Sequence, residues 1–334
     1  MKAVLVAAPG GPEVLQPVEL PLPEPGAGEV RVRLAAIGVN YADVMCRRAE
    51  HASMRPPPLV PGCEAAGVVE ACGAAVRRHR VGDRVGVYTP FGGAYAEALV
   101  VPEAYALPLP AAMGFDEAAA FTHLALTAWQ ALQAGGAPPA GATLLVTAAA
   151  GGLGGMLLQL AAATGLRPIA AAGSAAKCAL LRERGWTTVI DYGRQPLTAA
   201  VLQATAGRGA DRVVETVGGE LYRAAEAALA PLGCIVIAGA AGGRLAQPDA
   251  AVLLARSARC ATLNLSVVFA QQPEAMHEAW AGLVAMWAAG ALRPRIGRRF
   301  SLADAAAAQQ WLESRASTDK ILLQVPLADG MGFA

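Results

Sequence analysis

Two textures of hydrophobic and polar positions divide the chain. Up to about residue 120, short apolar runs with period-2 alternation recur between proline and glycine punctuation, at 3–8, 30–36, 65–70, 84–88 and 95–101. Runs of that length and spacing predict a small antiparallel, barrel-like β domain. From about Phe115 the texture changes to apolar helical runs, first over 116–134. Strands then alternate with helices: strands at 143–147, 167–172, 188–191, 211–215 and 234–238, helices at 154–164, 175–184, 197–205 and 221–228. Unbroken apolar strands in repeated β-α units predict a parallel sheet covered on both faces. A long helix over 273–289, a β run at 296–300, a helix over 302–314 and a last strand at 320–325 complete the pattern. That strand has no helix after it and is expected to pair back into the first domain. The expected architecture is α/β: a β-barrel domain at 1–122, a doubly wound parallel-sheet domain at 123–264, and a return of 265–334 to the first domain.

Composition narrows the class without changing it. Hydrophobic residues make up 55% and mean hydropathy is +0.40, which would suit a membrane protein, but alanine supplies much of both figures. The longest stretch free of Asp, Glu, Lys and Arg, 118–166, is cut by Gly135, Gly136, Pro138, Pro139, Gly141 and a glycine-rich turn. A spanning helix needs about 20 predominantly apolar residues in one run, so no membrane partner is expected. The first twelve residues end in Pro-Gly-Gly-Pro instead of continuing into a signal-peptide core. Six cysteines are spread through the chain without a C-x-x-C pair, the usage of reduced thiols in a cytoplasmic protein. With 27 basic and 26 acidic residues interspersed, no nucleic-acid surface is expected.

The chemistry concentrates at 143–166, a strand, a glycine turn and a helix without a single charge. Ala149-x-Gly151-x-x-Gly154 is a dinucleotide fingerprint with alanine for its first glycine. Gly151 lets the backbone approach a pyrophosphate, and Gly154 lets the helix close on the strand. If the cofactor were NAD, an acid would end the next strand to bond the ribose 2′-hydroxyl. That strand instead runs Ile169-Ala-Ala-Ala-Gly173-Ser174-Ala-Ala-Lys177. A lysine and a serine there suit a 2′-phosphate, which favours NADPH.

Further motifs widen the pattern: Gly38-Val39-Asn40-Tyr41-Ala42-Asp43, Val60-Pro61-Gly62-Cys63-Glu64-Ala65-Ala66-Gly67, Val81-Gly82-Asp83-Arg84-Val85, Leu126-Thr127-Ala128-Trp129, Ile190-Asp191-Tyr192, Val217-Gly218-Gly219 and Lys320-Ile321-Leu322-Leu323. With the glycine turn, their order and spacing resemble the zinc-free quinone oxidoreductases of the medium-chain dehydrogenase/reductase superfamily. The resemblance covers nearly the whole chain and implies a GroES-like β domain, a Rossmann domain and a homodimer, with 260–269 either its edge strand or an internal connection between the two domains. It implies Thr127 near the nicotinamide ribose and Ala150, Gly151, Gly152 and Leu153 at the pyrophosphate. Gly173, Ser174, Lys177 and Tyr192 would surround the adenosine 2′-phosphate. Gly239, Ala240 and Ala241 would lie along the nicotinamide, with Phe269 and Arg315 as further contacts. In zinc-containing relatives Asn40 is a cysteine and Cys63 a histidine; asparagine is a poor zinc ligand, so no metal is expected. Cys63-Glu64 reads as buried packing, and His51, His79, His123 and His277 read as isolated.

Without a metal or a nucleophile triad, the chemistry falls to the cofactor, and the protein supplies position and field. As the catalytic pair, Asn40 is expected to bond the nicotinamide ribose or the substrate oxygen, and Asp43 to hold its loop in shape, with a general-acid role for Asp43 the lesser alternative because a carboxylate near its usual pKa is ionised at neutral pH. Tyr41, Met45 and Tyr88 are candidate substrate contacts, with Met54 as a second soft pocket wall. The expected reaction is hydride transfer from NADPH to a quinone or another α,β-unsaturated carbonyl. An enoyl-thioester reductase is the alternative enzyme, for which Arg47, Arg48 and Arg55 offer a grip; an NADPH-binding sensor with little turnover is the alternative from another class.

Overall fold

The structure, a computed structural model, describes residues 1–51 and 55–325; Met54 lies outside the described residues. In chain order the first elements are β1 (Lys2–Val6), β2 (Leu15–Glu19), β3 (Glu29–Val39), α1 (Tyr41–Arg47), β4 (Glu64–Cys72), β5 (Arg84–Tyr88), β6 (Ala98–Pro102), β7 (Ala106–Pro108) and α2 (Phe115–Gln133). There follow β8 (Thr143–Val146), α3 (Gly152–Ala163), β9 (Arg167–Ala172), α4 (Ala175–Glu183), β10 (Val189–Asp191), α5 (Leu197–Ala204), β11 (Ala210–Glu215), α6 (Gly219–Ala227) and β12 (Leu229–Ile237). The last are α7 (Ala250–Arg256), β13 (Arg259–Thr262), α8 (Leu265–Gln271), α9 (Pro273–Ala288), β14 (Ile296–Ser301), α10 (Ala305–Glu313) and β15 (Lys320–Gln324).

Packing divides the chain into two units. Among the described residues, one comprises 1–123, 272–284 and 294–325; the other comprises 124–271 and 285–293. Where the sequence pattern puts 265–334 whole with the first domain, packing thus places 265–271 and 285–293 in the second unit.

The first unit is built on β3. Val30, Val32, Leu34 and Ala36 are fully buried, while Arg31 and Arg33 alternate between them on the less covered face, the pattern of a strand with one buried side. β3 pairs antiparallel with β4, β6 and β15, in a sheet ordered β14-β15-β3-β4-β5-β7. The last strand therefore does return to the β domain. β1 and β2 form a separate hairpin. β2 is invisible to the periodicity because it carries Pro17, which a two-stranded ribbon tolerates and a central strand does not.

The second unit is a six-stranded parallel sheet ordered β10-β9-β8-β11-β12-β13. Leu144, Leu145, Val146, Val213, Val214, Ile235 and Val236 are all fully buried, as sheets covered on both faces require. The chain winds outward from β8 to β10 and then returns to β11 on the other side of β8. Dinucleotides bind at the carboxyl ends of strands at such a reversal of order. Of the run 260–269, only the beginning is strand; β13 forms the sheet edge, and Leu265 opens a helix.

Candidate active site

The glycine turn stands at the end of β8. Ala148 takes a left-handed conformation (φ 48°), and the Ala149 N–H donates to the Ala171 carbonyl at 3.0 Å, tying the turn to β9. α3 starts at Gly152 with Gly151 as its N-cap, so its unpaired N–H groups open at the turn. A side chain on Gly154 would place Cβ 2.6 Å from both the Ala148 oxygen and the Ala149 Cα. Both are backbone atoms and cannot step aside. Gly151 is less crowded, with the Ala148 oxygen 3.3 Å from a built Cβ.

Beside the turn, β9 ends without a carboxylate. Ser174 caps α4, its Oγ accepting from the Lys177 N–H at 3.4 Å, and the first turn of α4 holds no acidic residue. Lys177 occupies the third helical position, where the positive end of the helix dipole disfavours a cation; burial also pushes its ammonium pKa down. The Tyr192 ring lies against Gly173, 2.8 Å from a Cβ built there. Gly239, Ala240 and Ala241 follow β12, where the Ala241 N–H donates to the Thr216 carbonyl at 2.9 Å. Thr127 on α2 has a buried Oγ with no hydrogen-bond partner. Phe269 on α8 is buried, 1% exposed, while Arg315 is exposed and belongs to the other unit.

A second cluster forms in the β-rich unit, and strand register assembles it. β15 pairs with β3 through Ile321 opposite Val39, which brings Lys320 to Asn40; β4 pairs with β3 through Ala65 opposite Ile37, which brings Glu64 to Gly38. Lys320 Nζ lies 2.5 Å from Glu64 Oε2 and donates to Asn40 Oδ1 at 2.6 Å. The Asn40 amide nitrogen donates to Glu64 Oε2 and to the Gly38 carbonyl, each at 3.2 Å. Glu64 Oε1 accepts from the His123 backbone N–H at 2.6 Å. Gly38 makes room for the ion pair: a Cβ there would lie 2.5 Å from Glu64 Oε2 and 2.7 Å from Lys320 Cε.

Asn40 also begins α1, a helix where the sequence reading has a pocket loop. Its backbone N–H donates to Asp43 Oδ2 at 2.8 Å, half of a capping box. Tyr95 donates to the same oxygen at 3.1 Å, and Gln309 donates to the Tyr95 hydroxyl at 3.3 Å. Asp43 is fully buried, and burial pushes its pKa up to about 6 against the opposing pull of the Asn40 N–H, Lys320 and Tyr95. Burial likewise drives His123 down to about 4, so its imidazole is neutral at pH 7. His123 stacks on Tyr88 (centroids 5.4 Å, interplanar angle 13°), with Nδ1 3.9 Å from Cys63 Sγ.

Of the sequence-derived positions, Asn40 and Asp43 meet directly, while Tyr41 and Met45 are half-buried on the same helix. Tyr88 is 3% exposed behind His123. Lys320, Glu64, His123 and Tyr95 are absent from the sequence-derived set. His123 is not isolated, and Cys63-Glu64 is not inert packing throughout, since Glu64 carries the ion pair. Arg47 is buried, bonded to Gln309 and Glu313, and Arg48 pairs with the same Glu313. Two of the three arginines suited to a thioester carrier are thus engaged within the fold. Among the described residues, no group of three or more His, Cys, Asp or Glu is arranged to hold a metal ion.

A β-rich unit and a parallel sheet in dinucleotide-binding order, with a glycine turn at the reversal, define the medium-chain dehydrogenase/reductase class. Residues 26–111 match the family model described as "Alcohol dehydrogenase GroES-like domain", and residues 184–323 match "Zinc-binding dehydrogenase". The quinone oxidoreductase of Pseudomonas aeruginosa is 35% identical over 325 residues, 96% of this chain and 99% of that protein. The crystal structure of the Pseudomonas syringae quinone oxidoreductase matches with a TM-score of 0.91 at 33% identity, covering 97% of this chain and 99% of that one. The Escherichia coli quinone oxidoreductase, solved in complex with NADPH, also matches with a TM-score of 0.91, at 30% identity over 97% of this chain and 100% of that one. The chain belongs to the quinone oxidoreductase family, and it is an oxidoreductase.

Proposed function

We propose that this protein is a zinc-independent, NADPH-dependent reductase of quinones or other α,β-unsaturated carbonyl compounds. One observation carries the cofactor reading: Lys177 stands in the first turn of α4, where the helix dipole opposes a cation, beside a strand end that lacks the acid an NAD ribose would use. A 2′-phosphate there removes the electrostatic cost. NADPH-bound Escherichia coli quinone oxidoreductase, with the same fold, supports it.

The residues present fit the cofactor. The buried Thr127 Oγ lacks a partner in the protein, and the Gly151–Gly154 turn leaves its backbone open. In this reading Ala150, Gly151, Gly152 and Leu153 hold the pyrophosphate, and Lys177 pairs with the 2′-phosphate. Ser174 still has its hydroxyl proton to donate there, since its Oγ lone pair serves the cap. Gly173 and Tyr192 flank the adenosine, Thr127 bonds the nicotinamide ribose, and Gly239, Ala240 and Ala241 border the nicotinamide; Phe269 and Arg315 are secondary. When bound, the cofactor supplies a hydride from the nicotinamide C4.

Asn40 had two candidate duties. Both its amide protons are engaged by Glu64 and Gly38, whereas Oδ1, beside Lys320 and the Asp43 N–H, can only accept. That favours accepting from a ribose hydroxyl over donating to a substrate oxygen. Asp43 caps α1 and holds Asn40 in place. Tyr41 and Met45 border the acceptor, with Tyr88 buried behind His123. Zinc independence is supported by Lys320, whose ammonium already supplies a cation to Glu64 and Asn40. Formation of a homodimer through the β13 sheet edge and a cytoplasmic location complete the reading; the described residues include no helix long and apolar enough to cross a membrane.

Steady-state oxidation of NADPH with 1,4-benzoquinone, 9,10-phenanthrenequinone and crotonyl-CoA tests the activity. Turnover with the quinones is expected, turnover confined to crotonyl-CoA would make the protein an enoyl-thioester reductase, and no turnover with any acceptor would refute an enzymatic role. Metal analysis of the active protein should find less than one equivalent of zinc.

A further inference from the structure

We propose that Lys320 is a positioning residue that sets which hydrogen-bonding function Asn40 presents to its ligand. An asparagine side chain can turn over and exchange its oxygen for its NH2 at little steric cost, because the two ends have nearly the same shape. Here charge decides between them. Lys320 donates to Oδ1 at 2.6 Å and Glu64 accepts from Nδ2 at 3.2 Å, so the reverse orientation would set oxygen against carboxylate and NH2 against ammonium. Lys320 is 2% exposed and Glu64 fully buried, where such mismatches are not relieved by water. The arrangement consumes both amide protons, so Asn40 has no N–H left to offer; Oδ1, which faces Lys320 and, as N-cap of α1, the Asp43 N–H, is the only end that can meet a ligand, and only as an acceptor.

The register adds a second line of argument. Lys320 lies opposite Asn40 across β15 and β3, and Gly38 clears the space for its side chain. A lysine serving only to neutralise Glu64 could do so from elsewhere; this one touches the amide as well. The inference rests on the reading that Asn40 meets bound NADPH.

The test compares wild type, Lys320→Arg and the double variant Lys320→Met/Glu64→Gln, by fluorescence titration with NADPH and steady-state kinetics with 1,4-benzoquinone. In the double variant both charges leave together, and the amide NH2 introduced at position 64 would face Asn40 and favour the turned-over amide. The expected result is a Kd and a KM for NADPH raised by about tenfold or more, the scale of one lost hydrogen bond plus a donor set against a donor. kcat at saturating NADPH should stay within about threefold, and Lys320→Arg should recover most of the affinity. A merely structural pair would lower the melting temperature without this KM-against-kcat split. Unchanged NADPH affinity in the folded double variant overturns the proposal while leaving wild-type activity intact; a wild type that binds no NADPH overturns the cofactor reading and this inference with it. Should the double variant not fold, Asn40→Ala decides: the same loss of affinity is required, and wild-type affinity refutes the proposal.

Discussion

The glycine turn and the Asn40 cluster are built on opposite physical principles. The turn after β8 is made of backbone: no charged residue lies between 143 and 166, and its shape depends on where a Cβ is missing. The cluster around Asn40 is made of side chains, with an ammonium, two carboxylates, an amide and a phenol packed together under almost no exposure. A backbone cradle tolerates most substitutions that keep its glycines. A buried polar cluster tolerates few, because each partner removed strands another. The difference locates fragility in the β-rich unit and, in the proposed reading, cofactor choice in the other.

The largest effect should follow from breaking the ion pair on one side only. Lys320→Ala leaves Glu64 charged, buried and without its cation, a change worth about 3–5 kcal/mol of stability. Replacing both partners with neutral groups, as in Lys320→Met/Glu64→Gln, should cost distinctly less. Urea unfolding of the two variants checks this; a double variant as unstable as the single would show that packing, not the stranded charge, dominates.

Next in size is a pH effect within the same cluster. Asp43 keeps its proton up to about pH 6 when folded, against 3.8 as its ordinary value. Between those limits the native state binds more protons, so this contribution to stability falls as pH rises. His123 is shifted the other way, to about 4 from 6.5, and its contribution rises with pH and is lost as pH falls toward 4. Each amounts to about 3 kcal/mol across the window, and the two oppose each other. Asp43→Asn should therefore unmask the histidine: relative to wild type, its urea midpoint should climb more steeply from pH 4.5 to 6.5. Equal slopes would mean that the Asp43 carboxyl titrates at its ordinary value.

The cradle should respond to the smallest possible addition. Gly154→Ala places a methyl 2.6 Å from two backbone atoms and should cost about 1–3 kcal/mol, with weaker NADPH binding. Gly155→Ala, which meets nothing within 4 Å, should be close to neutral. A Gly155→Ala as damaging as Gly154→Ala would break the view of the turn as a close helix-strand contact.

The same contrast explains what was legible in the sequence. The cradle is local: strand, turn and helix lie within some two dozen residues, and the order of the sheet follows from repeated β-α units. The Asn40 cluster is not. Asn40 and Lys320 are 280 positions apart, and their meeting depends on the register of β15 against β3, which no periodicity encodes. Tyr95 reaches Asp43 across 52 positions, and Gln309 reaches Tyr95 across 214. Even α1 was hidden, because a seven-residue helix held by one capping carboxylate leaves almost no periodic signal. Cys63-Glu64 looked like packing since nothing nearby in sequence pairs with the acid.

The smallest expected effect bears on cofactor choice. Lys177 carries the only proposed cation for the 2′-phosphate, but it is half-buried in a helix whose dipole already opposes it. Lys177→Ala should therefore not weaken α4 and should leave NADH affinity unchanged, while NADPH affinity falls about tenfold, near 1.4 kcal/mol. Ser174→Ala separates capping from recognition: loss of the cap costs about 1 kcal/mol of stability and affects both cofactors alike, whereas loss of a phosphate contact affects NADPH alone. Fluorescence titration of both variants with both cofactors, beside their melting temperatures, distinguishes these outcomes. If Lys177→Ala keeps the full preference for NADPH, the 2′-phosphate is read elsewhere, and the charge-free description of the cradle would extend to its rim.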